Sequence, residues 1–219
     1  MQITPAILPH SFEEITEKLS RVEGLVSRVQ IDLCDGVFGR EKTWLPTGTE
    51  TLPQGFSYEF DIMINHWNIY VPYCIAMGAT CIVAHMDMFS DEDIASLVSM
   101  VSSQSISLGI AVSNDKSVDF HAEMVRKTKE LYPHVFIQIM GINKIGEQGQ
   151  FFNEETPERV KEMKKRFGDM VVQVDGGIKP DNAKLLSDVG VDALVVGSYI
   201  FGRDDAGASL EELNLAVSS

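Results

Sequence analysis

Eight short apolar runs, each of strand length, alternate with segments of helical period along this chain. The predicted strands are residues 3–8, 28–33, 58–64, 80–84, 107–112, 135–140, 170–174 and 193–196. The predicted helices are residues 11–21, 67–77, 91–103, 117–132, 157–167, 180–189 and 208–217. Strands that alternate with helices predict a parallel sheet covered by helices. Eight units of about 27 residues favour an α/β fold of the closed (βα)8 type, a TIM barrel, with an open doubly wound sheet as the alternative.

Composition is consistent with one domain that spans residues 1–219, because no linker, repeat or low-complexity run divides the chain. The chain contains no run of about 18 apolar residues, so no membrane span is expected, and its first residues lack the basic region and the cleavage site of an export signal. Cys34, Cys74 and Cys81 are odd in number and show no metal-type spacing. These features predict a cytoplasmic protein in a reducing compartment.

The chain carries a formal net charge of −14. Nucleic-acid binding depends on basic surfaces, so a nucleic-acid partner is not expected. The same charge repels phosphate at long range. A phosphorylated ligand would therefore need local backbone dipoles to hold it.

Glycine-rich ends of the last two strands predict such a phosphate site. Gly176 and Gly177 follow the seventh strand, and Gly197 and Ser198 follow the eighth. Glycine lets the backbone approach a ligand closely, and two strand ends one helix apart can aim several N–H groups at one point. Asp175 stands at the mouth of this predicted site, and an acid beside a phosphate suggests proton chemistry on a phosphorylated metabolite.

The loop at residues 141–151 follows the sixth strand and is rich in Gly and Gln. Its position beside the phosphate site suggests a mobile lid, in which Gly146 and Gly149 would bring backbone N–H groups to the ligand. A plain flexible connection is the alternative.

Polar side chains near the strand ends are the candidate catalytic residues. Period-two alternation puts four pairs of residues on common strand faces: Gln30 with Asp32, Asp61 with Met63, Gln138 with Met140, and Gln173 with Asp175. Carboxylates inside a barrel are costly unless they are paired, protonated or bound to a ligand. Asp32, Asp61 and Asp175 are therefore candidate site residues. For each, the alternative is a helix cap or a bond to a loop amide.

The histidines give little further signal. We interpret His85, at the end of the fourth strand, as a packed and hydrogen-bonded core residue. His10, His66, His121 and His134 are interpreted as surface or loop residues.

Sulfur-containing side chains stand near three strand ends. Met63, Met140 and Cys34 could form a soft apolar collar around a ligand, or could be ordinary core residues.

Several segments together resemble the ribulose-phosphate 3-epimerase family nearly from end to end. They are ITPAIL at 3–8, VQIDLCDGVF at 29–38, FDIMI at 60–64, DGGI at 175–178 and GSYIF at 197–201. Segment 29–38 resembles the family signature H-V-D-V-M-D-G-x-F, and segment 60–64 resembles V-H-L-M-V. The loop after Met140 resembles N-P-G-F-G-G-Q-x-F.

This resemblance implies a barrel of the ribulose-phosphate-binding type and a ketose-phosphate substrate. It implies epimerisation at C3 of D-ribulose 5-phosphate, through a 2,3-enediolate, to D-xylulose 5-phosphate. Asp32 and Asp175 match the family's acid and base, which act from opposite faces of the sugar. Gln30, Met63 and Met140 would contact the substrate. The family is often oligomeric, so a homo-oligomer is expected.

The sequence departs from the family at the metal ligands. In the family, two histidines and two aspartates hold a divalent metal; here Gln30 and Asp61 stand at the histidine positions. Ala6 replaces a serine, Lys144 replaces a proline, and the lid is one residue longer. An all-oxygen set that includes Asp32, Asp61 and Asp175 favours magnesium or manganese over zinc, or no metal at all. Without a metal, the Gln30 amide could donate to the developing oxyanion.

Two other functions stay open at this point. Related phosphate-binding barrels perform aldol or decarboxylation chemistry with a D-x-K-x-x-D motif, and no such lysine follows Asp32. A barrel that binds a sugar phosphate without turnover is the other alternative, because the metal histidines are missing. Binding without solvent exchange of the C3 proton would identify it.

Overall fold

The computed structural model describes residues 1–218, apart from the side chain of Met88, and its sheet is a closed barrel of parallel strands in sequential order. The strands are β1 Gln2–Ile7, β2 Arg28–Cys34, β3 Ser57–Met63, β4 Ala79–Ala84, β5 Ser107–Val112, β6 Val135–Met140, β7 Val172–Asp175 and β8 Ala193–Val196. β1 pairs with β8 as well as with β2. This closure confirms the (βα)8 barrel and excludes the open sheet.

Helices surround the barrel. They are α1 Phe12–Ser20, α2 Trp67–Ala76, α3 Asp91–Ser102, α4 Val118–Leu131, α5 Thr156–Phe167, α6 Pro180–Asp188, α7 Ser198–Phe201 and α8 Ala206–Ser218. Local chemistry fixes several starts: Ser11 accepts a hydrogen bond from the Glu14 amide, and Ser90 and Asp93 form a reciprocal capping box. Within the described residues, no helix is long and apolar enough to cross a membrane.

Element boundaries differ from the sequence prediction at a few points. β7 begins at Val172, not at residue 170, because the Met170 amide bonds to Phe167 O and belongs to the turn after α5. The helix α7 and a 3-10 turn at Met86–Met88 were not predicted. Both are too short to show a helical period.

The main apolar core lies between the strands and the helices, where Ile31 and Phe60 of the sheet belong to the same buried cluster as Leu19 and Leu97 of the helices. The barrel interior is different. Cys81, Val83, Ala111 and Phe136 form a small apolar cluster of their own. The polar interior positions include Gln30, Asp32, Glu59, Asp61, Gln138, Gln173 and Asp175. The alternation of each strand thus separates an apolar outer face from a largely polar inner face.

Candidate active site

Three carboxyl groups meet at the carboxyl-terminal end of the barrel. Asp32 of β2 and Asp61 of β3 are register partners on adjacent strands, and Asp175 is the last residue of β7. One oxygen from each lies within 4.8 Å of the others. All three side chains are buried. The structure therefore brings together the three aspartates that the sequence singled out.

Gln30 lies beneath the carboxyl groups and joins two of them. Its Nε2 donates to Asp32 Oδ1 at 2.7 Å and to Asp175 Oδ2 at 3.0 Å. Its Oε1 is buried and has no hydrogen-bond partner in the described part of the chain. Gln30 thus bridges the two candidate acid/base residues, although they come from strands that are not neighbours.

Asp61 has different partners. Gln138 Nε2 donates to Asp61 Oδ2 at 2.8 Å, and His85 Nε2 lies 2.9 Å from Asp61 Oδ1. His85 is buried, as predicted for a core histidine. No sequence signal predicted that it would touch Asp61, because the two residues lie 24 positions apart, Asp61 on β3 and His85 directly after β4.

Burial and crowding shift the acid strengths of these groups. Burial, followed by the charge of Asp61, raises the pKa of Asp32 well above its usual value. Burial, followed by the charges of Asp32 and Asp61, does the same to the pKa of Asp175. Burial alone would lower the pKa of His85, but the neighbouring Asp61 carboxylate raises it overall. Raised pKa values are what a carboxyl group needs to serve as a general acid as well as a general base.

The cavity above these carboxyl groups contains most of the other predicted site residues. Its lining includes Asp32, Met63, Met140, Gly146, Gly149, Asp175, Gly176, Gly177, Gly197 and Ser198. Gln30 and Asp61 do not line this cavity. They are fully buried, with Gln30 in the polar layer directly beneath it.

Backbone conformation and close packing both require glycine at the two positions after β7. Gly176 has φ +102° and Gly177 has φ +71°, values that favour glycine. A Cβ on Gly177 would lie 2.9 Å from the Phe152 Cα. The backbone after Asp175 therefore packs directly against the segment that follows the lid loop.

The lid loop is joined to the loop after β2 by backbone hydrogen bonds. The Arg40 amide donates to Ile145 O at 3.2 Å, and the Glu41 amide donates to Gly146 O at 3.0 Å. The side chain of Gln148 lies beside the last strand: its Nε2 is 2.8 Å from the position that a Cβ on Gly197 would occupy. Sequence reasoning did not single out Gln148, although it stands between the two predicted lid glycines.

Two predictions about individual side chains are modified by the structure. His121 was interpreted as a surface or loop residue, but it is buried, and its Nε2 lies 2.9 Å from Asp87 Oδ1. It faces inward from α4, and a single polar residue gives no periodic signal of that orientation. Of the predicted sulfur collar, Cys34 Sγ lies 3.7 Å from Met63 Sδ, whereas Met140 Sδ contacts Gln138 instead.

Glu59 and Gln173 complete the polar layer; strand alternation placed Gln173 on the face of Asp175, whereas Glu59 was not singled out. Glu59 is fully buried, and its Oε1 accepts from Gln173 Nε2 at 2.6 Å. Period-two alternation carried the signal for Glu59, since it lies two residues before Asp61 on β3.

The donor set fits a hard divalent cation. Carboxylate oxygens from Asp32, Asp61 and Asp175 lie close enough to share one ion, whereas Gln30 turns its Nε2 and not its oxygen toward Asp32 and Asp175. Oxygen ligands of this kind suit magnesium or manganese, whereas zinc prefers nitrogen and sulfur ligands.

Comparisons with known proteins identify the family of the chain. The sequence profile of the Ribulose-phosphate 3 epimerase family matches residues 2–201. Ribulose-phosphate 3-epimerase of Aquifex aeolicus is 27% identical, with 99% of this chain and 97% of the relative covered. The enzyme of that name from Bacillus subtilis is 24% identical, with 97% and 98% covered.

A solved structure of 3-hexulose-6-phosphate synthase has the same fold, with a TM-score of 0.68, 17% identity and 99% of each chain covered. Because the family profile spans almost the whole barrel, including every strand and both glycine-rich strand ends, this chain belongs to the ribulose-phosphate 3-epimerase family of isomerases.

Proposed function

We propose that this protein interconverts D-ribulose 5-phosphate and D-xylulose 5-phosphate by epimerisation at C3. One observation carries the proposal: Asp32 and Asp175 are buried, have raised pKa values and are bridged by the Gln30 amide. They stand in a cavity whose other wall is the glycine-rich end of β7 and β8. A family whose relatives carry the name of this activity supports the same substrate.

The two aspartates divide the proton transfers. One of them, as a carboxylate, removes the proton from C3, and the electron pair of that C–H bond forms the 2,3-enediolate. The other, as a carboxylic acid, delivers its proton to the opposite face of C3. The configuration at C3 is thereby inverted. The aspartate that acted as base is now protonated, and the aspartate that acted as acid is now a carboxylate. Asp32 and Asp175 suit this exchange because burial and neighbouring carboxyl groups raise both pKa values, which favours the acid form that one partner needs.

Negative charge on the enediolate needs stabilisation, and the site offers two sources. A magnesium or manganese ion held by Asp32, Asp61 and Asp175 would act as a Lewis acid when bound. The Gln30 Nε2 uses both of its protons on the candidate catalytic carboxyl groups, so it would donate to an oxyanion only after one of these two hydrogen bonds is exchanged for one to the substrate. EDTA-insensitive turnover without metal in elemental analysis would exclude the ion. Unchanged turnover in Gln30→Leu would exclude the amide.

Backbone N–H groups hold the substrate phosphate in this proposal. They come from the strand ends at Gly176, Gly177, Gly197 and Ser198, with the lid glycines closing from above. Preorganised amides are needed because the chain's net charge of −14 gives no long-range attraction for a phosphate. A homo-oligomeric state and a cytoplasmic location stay predictions, the first of which light scattering would test.

The second candidate is a barrel that binds a sugar phosphate without turnover. Gln30 and Asp61 favour it, because both stand where the family has metal-binding histidines. Proton NMR of D-ribulose 5-phosphate in D2O, with and without EDTA, separates the two. Deuterium at C3 and the appearance of xylulose 5-phosphate, both lost in Asp175→Asn, would support the epimerase. Absence of exchange in every arm, even with added magnesium or manganese, would refute it for this sugar.

A further inference from the structure

We infer that Gln138 is a positioning residue, which sets the geometry of Asp175 and Asp61 and is itself oriented by Gln173 and Glu59. The inference rests on the proposed function, because it assigns a role within the same active site. Gln138 lies in the middle of β6, two residues before Met140, and is fully buried. It does not touch the cavity, so its effect must act through the aspartates.

Hydrogen bonds fix which end of the Gln138 amide faces the carboxyl groups. Its Oε1 accepts from Gln173 Nε2 at 2.6 Å, and the same Gln173 Nε2 donates to Glu59 Oε1 at 2.6 Å. An amide oxygen only accepts and an amide nitrogen only donates. The Nε2 of Gln138 must therefore point the other way, toward Asp61 Oδ2 at 2.8 Å and Asp175 Oδ2 at 3.3 Å.

Rotation of the Gln138 amide by 180° would replace favourable contacts by repulsive ones. Its oxygen would face two carboxylate oxygens, and its NH2 group would face the NH2 group of Gln173. Gln30 differs in this respect, because its Oε1 has no partner among the described residues and nothing on that side selects an orientation. Of the two amides that touch the carboxyl groups, Gln138 is thus the one whose orientation is selected from both ends.

This fixed donor matters because Asp175 ends a strand of four residues and is followed directly by two glycines of positive φ. An NH2 group has two protons, so Gln138 can hold one oxygen of Asp175 and one of Asp61 at the same time. Misplacement of a reacting group by about 1 Å can cost roughly 100-fold in rate. The role is the same if a cation binds, since hydrogen bonds to ligating carboxylates orient them.

A kinetic double-mutant cycle tests the inference. Gln138→Leu keeps the approximate shape and removes the donor, so kcat should fall by roughly 10- to 100-fold. KM should change little, because the phosphate contacts lie elsewhere. Gln173→Leu should also lower kcat, and this effect should disappear in the Gln138→Leu background. Thr128→Val is the matched control, because Thr128 is fully buried but lies on α4, outside the barrel interior, and kcat should stay at the wild-type value.

A second measurement does not depend on turnover. The side-chain NH2 signals of Gln138, identified by their loss in Gln138→Leu, should exchange slowly with solvent in the wild-type protein. They should lose this protection in Gln173→Leu and keep it in Thr128→Val. Wild-type kcat in Gln138→Leu, an equal effect of Gln173→Leu in both backgrounds, or retained amide protection would overturn the inference. If the wild-type protein leaves C3 of ribulose 5-phosphate unexchanged, the proposed function fails, whereas the amide measurement still decides the orientation of Gln138.

Discussion

Replacement of Asp32 by asparagine should stabilise the fold at neutral pH while it abolishes epimerisation. One carboxylate oxygen of Asp32 lies within 4.8 Å of one oxygen of Asp61 and one of Asp175, and all three side chains are buried. At an effective dielectric constant of about 20, two unit charges at that separation repel by about 3.5 kcal/mol. Protonation limits this cost in the wild type, so we expect a gain of about 1 to 3 kcal/mol in the free energy of unfolding.

The gain should depend on pH in a defined direction. The pKa of Asp32 is raised in the folded protein by burial and by Asp61, so the native state holds a proton that the unfolded chain releases above about pH 4. Wild-type stability therefore falls as the pH rises from about 4 toward the raised pKa, by about 1.4 kcal/mol per unit for each such group. Asparagine does not titrate. The advantage of Asp32→Asn should be near zero at pH 4 and largest at pH 8.

Denaturant unfolding between pH 4 and pH 8, in EDTA, measures this difference. Asp204→Asn is the matched control, since Asp204 is exposed and its replacement should leave stability nearly unchanged at every pH. Addition of magnesium or manganese should stabilise the wild type more than Asp32→Asn. A stability difference that is constant across the pH range, or a destabilised Asp32→Asn at pH 8, would refute the electrostatic reasoning.

Three further substitutions test the phosphate site. Gly177→Ala should lower the free energy of unfolding by at least about 1 to 2 kcal/mol in chemical denaturation, because φ is +71° and the new Cβ would meet the Phe152 backbone; wild-type stability would contradict this packing. Gly197→Val should raise KM strongly with a smaller change in kcat, and retained affinity for phosphorylated substrate would show that the phosphate lies elsewhere. Gln148→Glu places a carboxylate beside Gly197, so calorimetry should show weaker binding of inorganic phosphate, and high salt should reduce this loss of affinity. Unchanged binding would place Gln148 outside the phosphate site.

Much of the fold followed from local patterns. The strands at Ser107–Val112, Val135–Met140 and Ala193–Val196 begin and end where their apolar runs do. The helices after the first two of these strands begin at recognisable signals, the Ser117 cap of α4 and Pro157 in the first turn of α5. The boundary of β7 could not be read in the same way, because Met170 is apolar and yet belongs to a turn. Apolar side chains mark burial, and both strands and turns can be buried.

The site was predictable as a set of residues but not as a set of contacts. Strand alternation alone places Asp32, Asp61 and Asp175 on inner faces near strand ends, and parallel strands in a barrel bring those ends to one side. The locations of Gln148 and His121, in contrast, could not be predicted from strand alternation. The lid conformation and the packing of α4 decided which partners they meet, and no sequence spacing encodes either.

The sequence by itself determined the barrel, the inward-facing carboxyl groups, the glycine-rich strand ends and the loss of the family's two histidines. Those properties depend on residue type and on the period of each element, which are local. The tertiary structure decided that Gln30 bridges Asp32 and Asp175, and that Gln138 bridges Asp175 and Asp61. Barrel closure brings side chains from β2, β3, β6 and β7 within hydrogen-bonding distance, and such distances between remote segments exist only in the folded chain.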